Sequence, residues 1–311
     1  MDMSKKVYHY CSVDTFYSII SNQTFRLSDI TKSNDYLEIS WIKNSLYAIF
    51  ENLYSMLAEG VRKELSKEEY IKRINEKIEL YFDKSELTER FYVICFSGEK
   101  SGDLLSQWRG YGNDGRGIAI EINEIILNQL ADSLHIYGED KSKVLYRKVE
   151  YDKERQERKI LETIKRFFNQ INNRDTYEIP HLKSQFEIVL LRCFTELYQE
   201  AIFMKNPFFQ EENESRLVIC IGENRGTVAG RKIKELATIS EKAFYVRNNE
   251  LISYYDLDFK QGKEGISKII SGCILGPKCG VDEKTLRSFL KAQGIYYIKE
   301  DFCKKSEGSY R

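Results

Sequence analysis

Glu212-Asn213-Glu214-Ser215-Arg216-Leu217-Val218-Ile219-Cys220-Ile221 sets two carboxylates two residues apart and then runs into an apolar, β-branched segment. Such a run reads as a buried strand. Strand residues i and i+2 point to one face, so Glu212, Glu214 and Arg216 are expected side by side. Packing gains nothing from two like charges there. A site that holds a sugar hydroxyl and stabilises a developing cation does. The plainer reading, a solvated start to a strand, stays open, because Gln210 to Glu214 is polar anyway.

Working outward, apolar runs predict further strands at Val7–Tyr10, Thr24–Ser28, Phe91–Phe96, Arg116–Ile122, Val144–Tyr151 and Ile269–Leu275, with a closing strand at Ile295–Ile298. Phe244–Val246 and Leu251–Leu257 read as a hairpin around Asn248-Asn249. Helical spacing follows Ser12, and a long helical region runs from about Glu38 to Glu64 through Ile39, Ile42, Leu46, Ile49 and Leu53. Ser66 with Glu69 forms a capping box for a further helix. Helices also follow at about Lys153–Asn172 and Leu182–Met204, and Asp282 caps one ending before Gly294. Strands and helices do not alternate regularly. The expected class is α+β: one domain over residues 1–311, with a mixed or antiparallel central sheet and helical insertions at about 38–88 and 152–205.

Charge narrows the partners. Lys+Arg and Asp+Glu both number 48, so no global field attracts nucleic acid or an anionic membrane. No apolar run reaches the length of a membrane span, and the N-terminus lacks a signal-peptide apolar region. The seven cysteines are scattered and odd in number, with no C-x-x-C pair, which predicts free thiols in a cytoplasmic protein. With three histidines and no Cys/His cluster, no metal site is expected.

Two other stretches carry candidate chemistry. His9 on the first strand could bond a ribose hydroxyl, or simply pack between its tyrosine neighbours. Ser106-Gln107-Trp108-Arg109-Gly110-Tyr111-Gly112 is dense in hydrogen-bonding and stacking groups. Arg109 could grip a phosphate or carboxylate, and Trp108 and Tyr111 could stack on a ring. A turn packed by one tryptophan is the alternative. No phosphate-loop motif is present.

Tyr8-His9-Tyr10, Phe25 to Asn34-Asp35 with Glu38, and Phe96-Ser97 come first in a recurring order. Leu105 to Gly112, Gly117-Ile118, Lys205, Phe208, Glu212, Glu214, Arg216 and Gly276-Pro277 complete it. In that order they resemble a bacterial family, the domain of unknown function twenty-nine seventy-one, across most of the chain. A first-strand histidine, a middle strand ending Phe96-Ser97 and a late Glu-x-Glu strand are also similar to the ADP-ribosyltransferase superfamily. That second resemblance implies an ADP-ribosyltransferase-like sheet, NAD as substrate, and a transferase or glycohydrolase acting as a toxin or anti-phage defence effector. It implies Glu214, Glu212 and His9 as catalytic residues. Tyr10, Phe96, Ser97, Trp108, Arg109, Tyr111 and Arg216 form the cofactor-binding set, and no clear nicotinamide-stacking tyrosine is evident in the middle element. The acceptor, a protein or nucleic acid, stays open, as does a partner protein at the helical insertions. A non-catalytic nucleotide- or nucleic-acid-binding sensor and a metal-dependent nuclease are the other readings. For the enzyme, His9 and Glu214 must face one cavity.

Overall fold

The computed structural model describes residues 5–32, 40–82, 89–98, 102–132, 143–172, 182–222, 232–233, 236–260, 262, 264–296 and 298–308. The chain forms two compact units: Met1–Ser33, Thr88–Lys148 and Glu211–Arg311 make one, and Asn34–Leu87 with Val149–Gln210 the other.

The first unit is built, among the described residues, on a twelve-stranded sheet. Its strands are β1 (Lys6–Cys11), β2 (Thr24–Asp29), β3 (Glu89–Ser97), β4 (Ile118–Asn123), β5 (Lys143–Lys148), β6 (Glu214–Gly222), β7 (Lys232–Ile233), β8 (Ala237–Ile239), β9 (Ala243–Arg247), β10 (Glu250–Asp258), β11 (Ile270–Leu275) and β12 (Cys303–Lys305). The main order is β12-β11-β4-β1-β3-β2-β10-β8-β7. Of these strands only β11 and β12 pair in parallel, so the sheet is mixed and largely antiparallel.

Strand β3 is the hub. Ser97 pairs with both Tyr8 and Glu214, and Val93 with both Ser28 and Val218. A strand has two edges, so β1 and β2 share one edge of β3, while β6 and then β5 occupy the other. The helix α1 (Val13–Asn22) links β1 to β2. Ser12 Oγ accepts from Thr15 N, and Phe16, Ile19 and Ile20 are its buried stripe.

The main core lies on one face of this sheet. α1, α6 (Glu124–Asp132) and α9 (Glu283–Ala292) contribute Phe16, Leu127 and Leu286 to it, against Val7, Phe25, Ile94, Phe96, Ile120 and Leu217 of the strands. A smaller cluster of Tyr8, Tyr10, Trp108 and Ala119 sits on the other. Burying one large apolar side chain in such a core is worth about 1.5–3 kcal/mol, so the face with the continuous cluster fixes each strand's parity.

The second unit is helical: α2 (Lys43–Leu53), α3 (Glu59–Glu64), α4 (Lys67–Phe82), α7 (Lys153–Asn172) and α8 (Leu182–Ala201). Its core is aromatic. Phe50 stacks on Phe194 with centroids 5.3 Å apart, and Tyr70, fully buried, donates its hydroxyl to Phe50 O at 2.9 Å. Among the described residues no helix is long and apolar enough to cross a membrane.

Three expectations need correction. The helix expected over Glu38 to Glu64 breaks at residues 54–58. There the Asn172 amide accepts from Ala58 N and donates to Met56 O, supplying side-chain partners in place of helical ones. No strand forms at the described residues of Ile295–Ile298. Ile295 N closes the end of α9 by donating to Leu290 O, and the closing strand is β12. The strand expected to reach Tyr151 ends at Lys148. Elsewhere local chemistry behaves as expected. Asn248 and Asn249 both take positive φ (51° and 64°), as a tight hairpin turn needs, and Ser66 Oγ accepts from Glu69 N.

Candidate functional site

The stretch 212–221 is only partly a strand. Residues Pro207–Glu212 form a 3-10 turn, and Asn213 takes φ 44°. The left-handed residue resets the pleat, so β6 begins at Glu214, and Glu212 does not continue its face. Gly98 donates its N–H to Asn213 O at 2.7 Å and lies against the Asn213 side chain. A side chain at residue 98 would collide with this turn, which is why a glycine serves here.

Directly paired residues of antiparallel strands share a face. Glu121, Tyr8, Ser97 and Glu214 are partners in succession across β4, β1, β3 and β6. They form one polar row on the face away from the main core. One step along, Cys95 pairs with Arg216, and Arg216 with Arg147 of β5. Glu214 and Arg216 are joined in a two-pronged pair: Arg216 Nε donates to Glu214 Oε1 at 2.7 Å and Nη2 to Oε2 at 3.0 Å. Their side chains are 6% and 1% exposed. Burial at this depth strengthens the pair but costs both ions their hydration.

Helix α5 (Leu105–Gly110) supplies further partners. Gln107, buried, accepts from Ser97 Oγ at 2.7 Å. Trp108 is buried too. Its indole N–H donates to Asp103 Oδ1 at 2.7 Å, and Tyr10 meets it edge-on with centroids 4.7 Å apart. Trp108 is therefore a packing residue and offers no ring to a ligand. The Tyr10 hydroxyl accepts from Leu104 N at 3.4 Å, and burial holds it protonated, well above the usual phenol range. Tyr111, 49% exposed, donates its hydroxyl to Glu212 Oε1 at 3.3 Å, and Ser106 Oγ donates to Glu211 Oε1 at 3.1 Å. Arg109 lies exposed on the same helix.

His9 is not part of this constellation. It is one residue off the polar row, so its ring points into the main core, edge-on to Phe25 at 5.8 Å and Phe96 at 6.1 Å. Its Nδ1 lies 3.2 Å from Cys95 O and acts as donor there. Burial lowers its pKa, with the carbonyl opposing, so the ring is held neutral. Phe96 lies in the same core. The expectation that His9 and Glu214 face one cavity is thus corrected: the sheet separates them. Phe96 also leaves the cofactor-facing set.

The structure does bring together Ser97, Glu214 and Arg216, with Tyr10, Trp108, Tyr111 and Glu212 near the same end of the sheet. Sequence reasoning missed Tyr8, Gln107 and Arg147. Cross-strand register reveals Tyr8 and Arg147, and the hydrogen bond from Ser97 reveals Gln107. In the helical unit Lys205 is fully buried with its ammonium 5.1 Å over the Phe209 ring, while Phe208 is exposed. Gly276 packs on the Gly115 carbonyl in a structural turn. Asn34, Asp35 and Glu38 lie outside the described residues. Among the described residues no group of three or more His, Cys, Asp and Glu side chains is placed to hold a metal ion.

Residues 107–217 match the model of a family described as protein of unknown function (DUF2971), so the chain resembles that family over the segment that runs from Gln107 through the Glu214–Arg216 pair. No curated protein and no solved structure matches the chain.

Proposed function

We propose that this protein is an NAD-consuming enzyme, an ADP-ribosyltransferase or NAD glycohydrolase serving as a toxin or anti-phage effector on an ADP-ribosyltransferase-like sheet, with its chemistry at the Ser97–Glu212–Glu214 corner. One observation carries the reading: a carboxylate–guanidinium pair is buried at the end of β6, directly across from a serine hydroxyl. Charges are rarely kept at this depth for stability alone, and such groups concentrate at sites of chemistry. Cleaving the nicotinamide–ribose bond builds positive charge on the sugar, which a nearby carboxylate stabilises. Glu212 is the more accessible carboxylate, and Tyr111 orients it. Glu214 supplies negative potential and keeps Arg216 in place. Arg216 and Arg147, on adjacent strands, favour an anionic ligand such as a pyrophosphate. The acceptor is a protein or nucleic acid, and the helical unit is the surface left for a partner protein.

The test is nicotinamide release from NAD by purified protein, with and without cell lysate as acceptor source. Release is expected, with a loss of roughly 10²–10⁴-fold for Glu212→Gln, as for removal of a positioned acid–base group. His9→Asn is expected to retain turnover. No release above buffer in either condition refutes the enzymatic reading.

A second reading, a non-catalytic nucleotide sensor, is favoured by one specific feature. Both oxygens of Glu214 are engaged by Arg216. It requires NAD or another nucleotide to bind, by titration calorimetry, without turnover, and that binding to be lost in the double variant Glu214→Leu with Arg216→Met, its thermal midpoint checked.

A further inference from the structure

A groove of about 540 Å³ opens elsewhere in the sheet unit, lined by residues of α1, β2 and β10 and sharing no residue with the Glu214–Arg216 corner. Its volume is in the range of small-molecule sites. Arg26 and Asp256 are direct partners across β2 and β10 and both line the groove. The Arg26 guanidinium lies over the Tyr254 ring at 4.0 Å and the Tyr245 ring at 4.9 Å. Stacking fixes its plane and leaves the donor edge for other contacts.

Among the described residues the Arg26 side chain makes no hydrogen bond or ion pair, and the Asp256 carboxylate accepts no hydrogen bond; its backbone alone is engaged, with Ser240. Two opposite charges on adjacent strands thus stand in one groove without closing on each other. Asp14, Asp258 and Lys260 line the same groove, and Asp258 and Lys260 lie within electrostatic reach of the Asp256 carboxylate. The face of Tyr254 is already covered by Arg26, so a nucleobase would find no stacking surface there. The groove suits a short ligand with an anionic and a cationic end.

We propose that this groove binds a free α-amino acid, with its carboxylate on Arg26 and its ammonium on Asp256. The reading is independent of the NAD chemistry. A zwitterion satisfies both unpaired groups at once, whereas a peptide terminus carries only one of the two charges.

The experiment is titration calorimetry of the full chain against the common α-amino acids, with nucleosides and monosaccharides run beside them. The best amino acid is then compared with its N-acetyl and methyl-ester forms, and with Arg26→Met and Asp256→Asn proteins whose thermal midpoints are checked. At least one amino acid is expected to bind at roughly millimolar or better. Each derivative and each substitution is expected to weaken binding about tenfold or more, as loss of a charge-assisted hydrogen bond does. No binding by any amino acid overturns the proposal. So does binding that survives esterification and acetylation, or binding of a nucleoside or sugar lost on Asp256→Asn in place of an amino acid.

Discussion

Replacing Arg216 with methionine should unfold the sheet unit far more readily than removing a typical surface charge. Arg216 is 1% exposed and Glu214 6%, and two hydrogen bonds of 2.7 and 3.0 Å join them. The Arg216→Met change would leave Glu214 as a buried carboxylate stripped of its bidentate partner. Breaking a buried pair from one side costs about 3–5 kcal/mol, against about 0–1 kcal/mol for an exposed pair. Replacing both residues, Glu214→Leu with Arg216→Met, removes the stranded charge and should recover most of the loss.

The chain supplies its own reporter for this cycle. It has two tryptophans, Trp41 in the helical unit and Trp108 in the sheet unit. In a Trp41→Phe background, fluorescence in urea follows Trp108 alone, which is 1% exposed when folded. Using a local probe matters because a chain with two compact units need not unfold in one step. The expected outcome is a large drop in midpoint for Arg216→Met, a comparable drop for Glu214→Gln, and a double variant nearer wild type than either. Additive losses, or an Arg216→Met stability within about 1 kcal/mol of wild type, would refute the claim that the two residues are strongly coupled.

Other outcomes follow from the same geometry. His9 is held neutral by burial, below its ordinary 6.5, so the unfolded chain takes up the proton first as pH falls. Its contribution is complete above pH 6.5 and is lost as pH drops toward the folded-state value; His9→Phe should flatten stability between neutral and mildly acid pH, measured by urea midpoints. Asp256 is shifted the other way, upward: burial is the largest cause, the Arg26 charge opposes it, and Asp258 adds to it with Lys260 opposing. The charged form is therefore disfavoured in the fold, and Asp256→Asn should be at least as stable as wild type at pH 7, with that advantage vanishing once the unfolded carboxyl also protonates near its ordinary 3.8. Gly98→Ala would place a Cβ 2.7 Å from Asn213 O, so thermal unfolding should fall and the Tyr111–Glu212 contact should be lost, visible as a changed Tyr111 environment by NMR.

The strands were legible because their apolar runs are dense, and the caps because Ser12, Ser66 and Asp282 act within a few residues of themselves. What failed depends on distant partners. The break at residues 54–58 is made by Asn172, more than a hundred positions away. The polar neighbours of Trp108 leave stacking and packing equally open in the sequence, and burial decides for packing. Helix α5 turns Gln107 and Trp108 inward and leaves Ser106 and Arg109 outside, and six residues are too few to show that pattern. The pairing of His9 with Glu214 fails on parity. Tyr8-His9-Tyr10 puts a polar aromatic on either face, so the alternation does not say which one looks at Ser97. A register of one residue decides it.

That parity also ranks the polar groups by what packing can account for. His9 stands among Phe25 and Phe96 with one ring nitrogen satisfied by Cys95 O, and no further purpose is needed to explain it. Glu214 and Arg216 are different. An apolar pair of similar volume would serve stability as well or better, yet the chain keeps two charges there, beside Ser97, Gln107 and Tyr8, in a row that crosses four strands. The pair is therefore the polar feature that packing accounts for least on this face. If the double variant, Glu214→Leu with Arg216→Met, proves stable but no longer handles a nucleotide, the pair is retained for recognition or chemistry. If it is stable and fully competent, the corner is scaffolding, and the function must be sought at the Arg26–Asp256 groove.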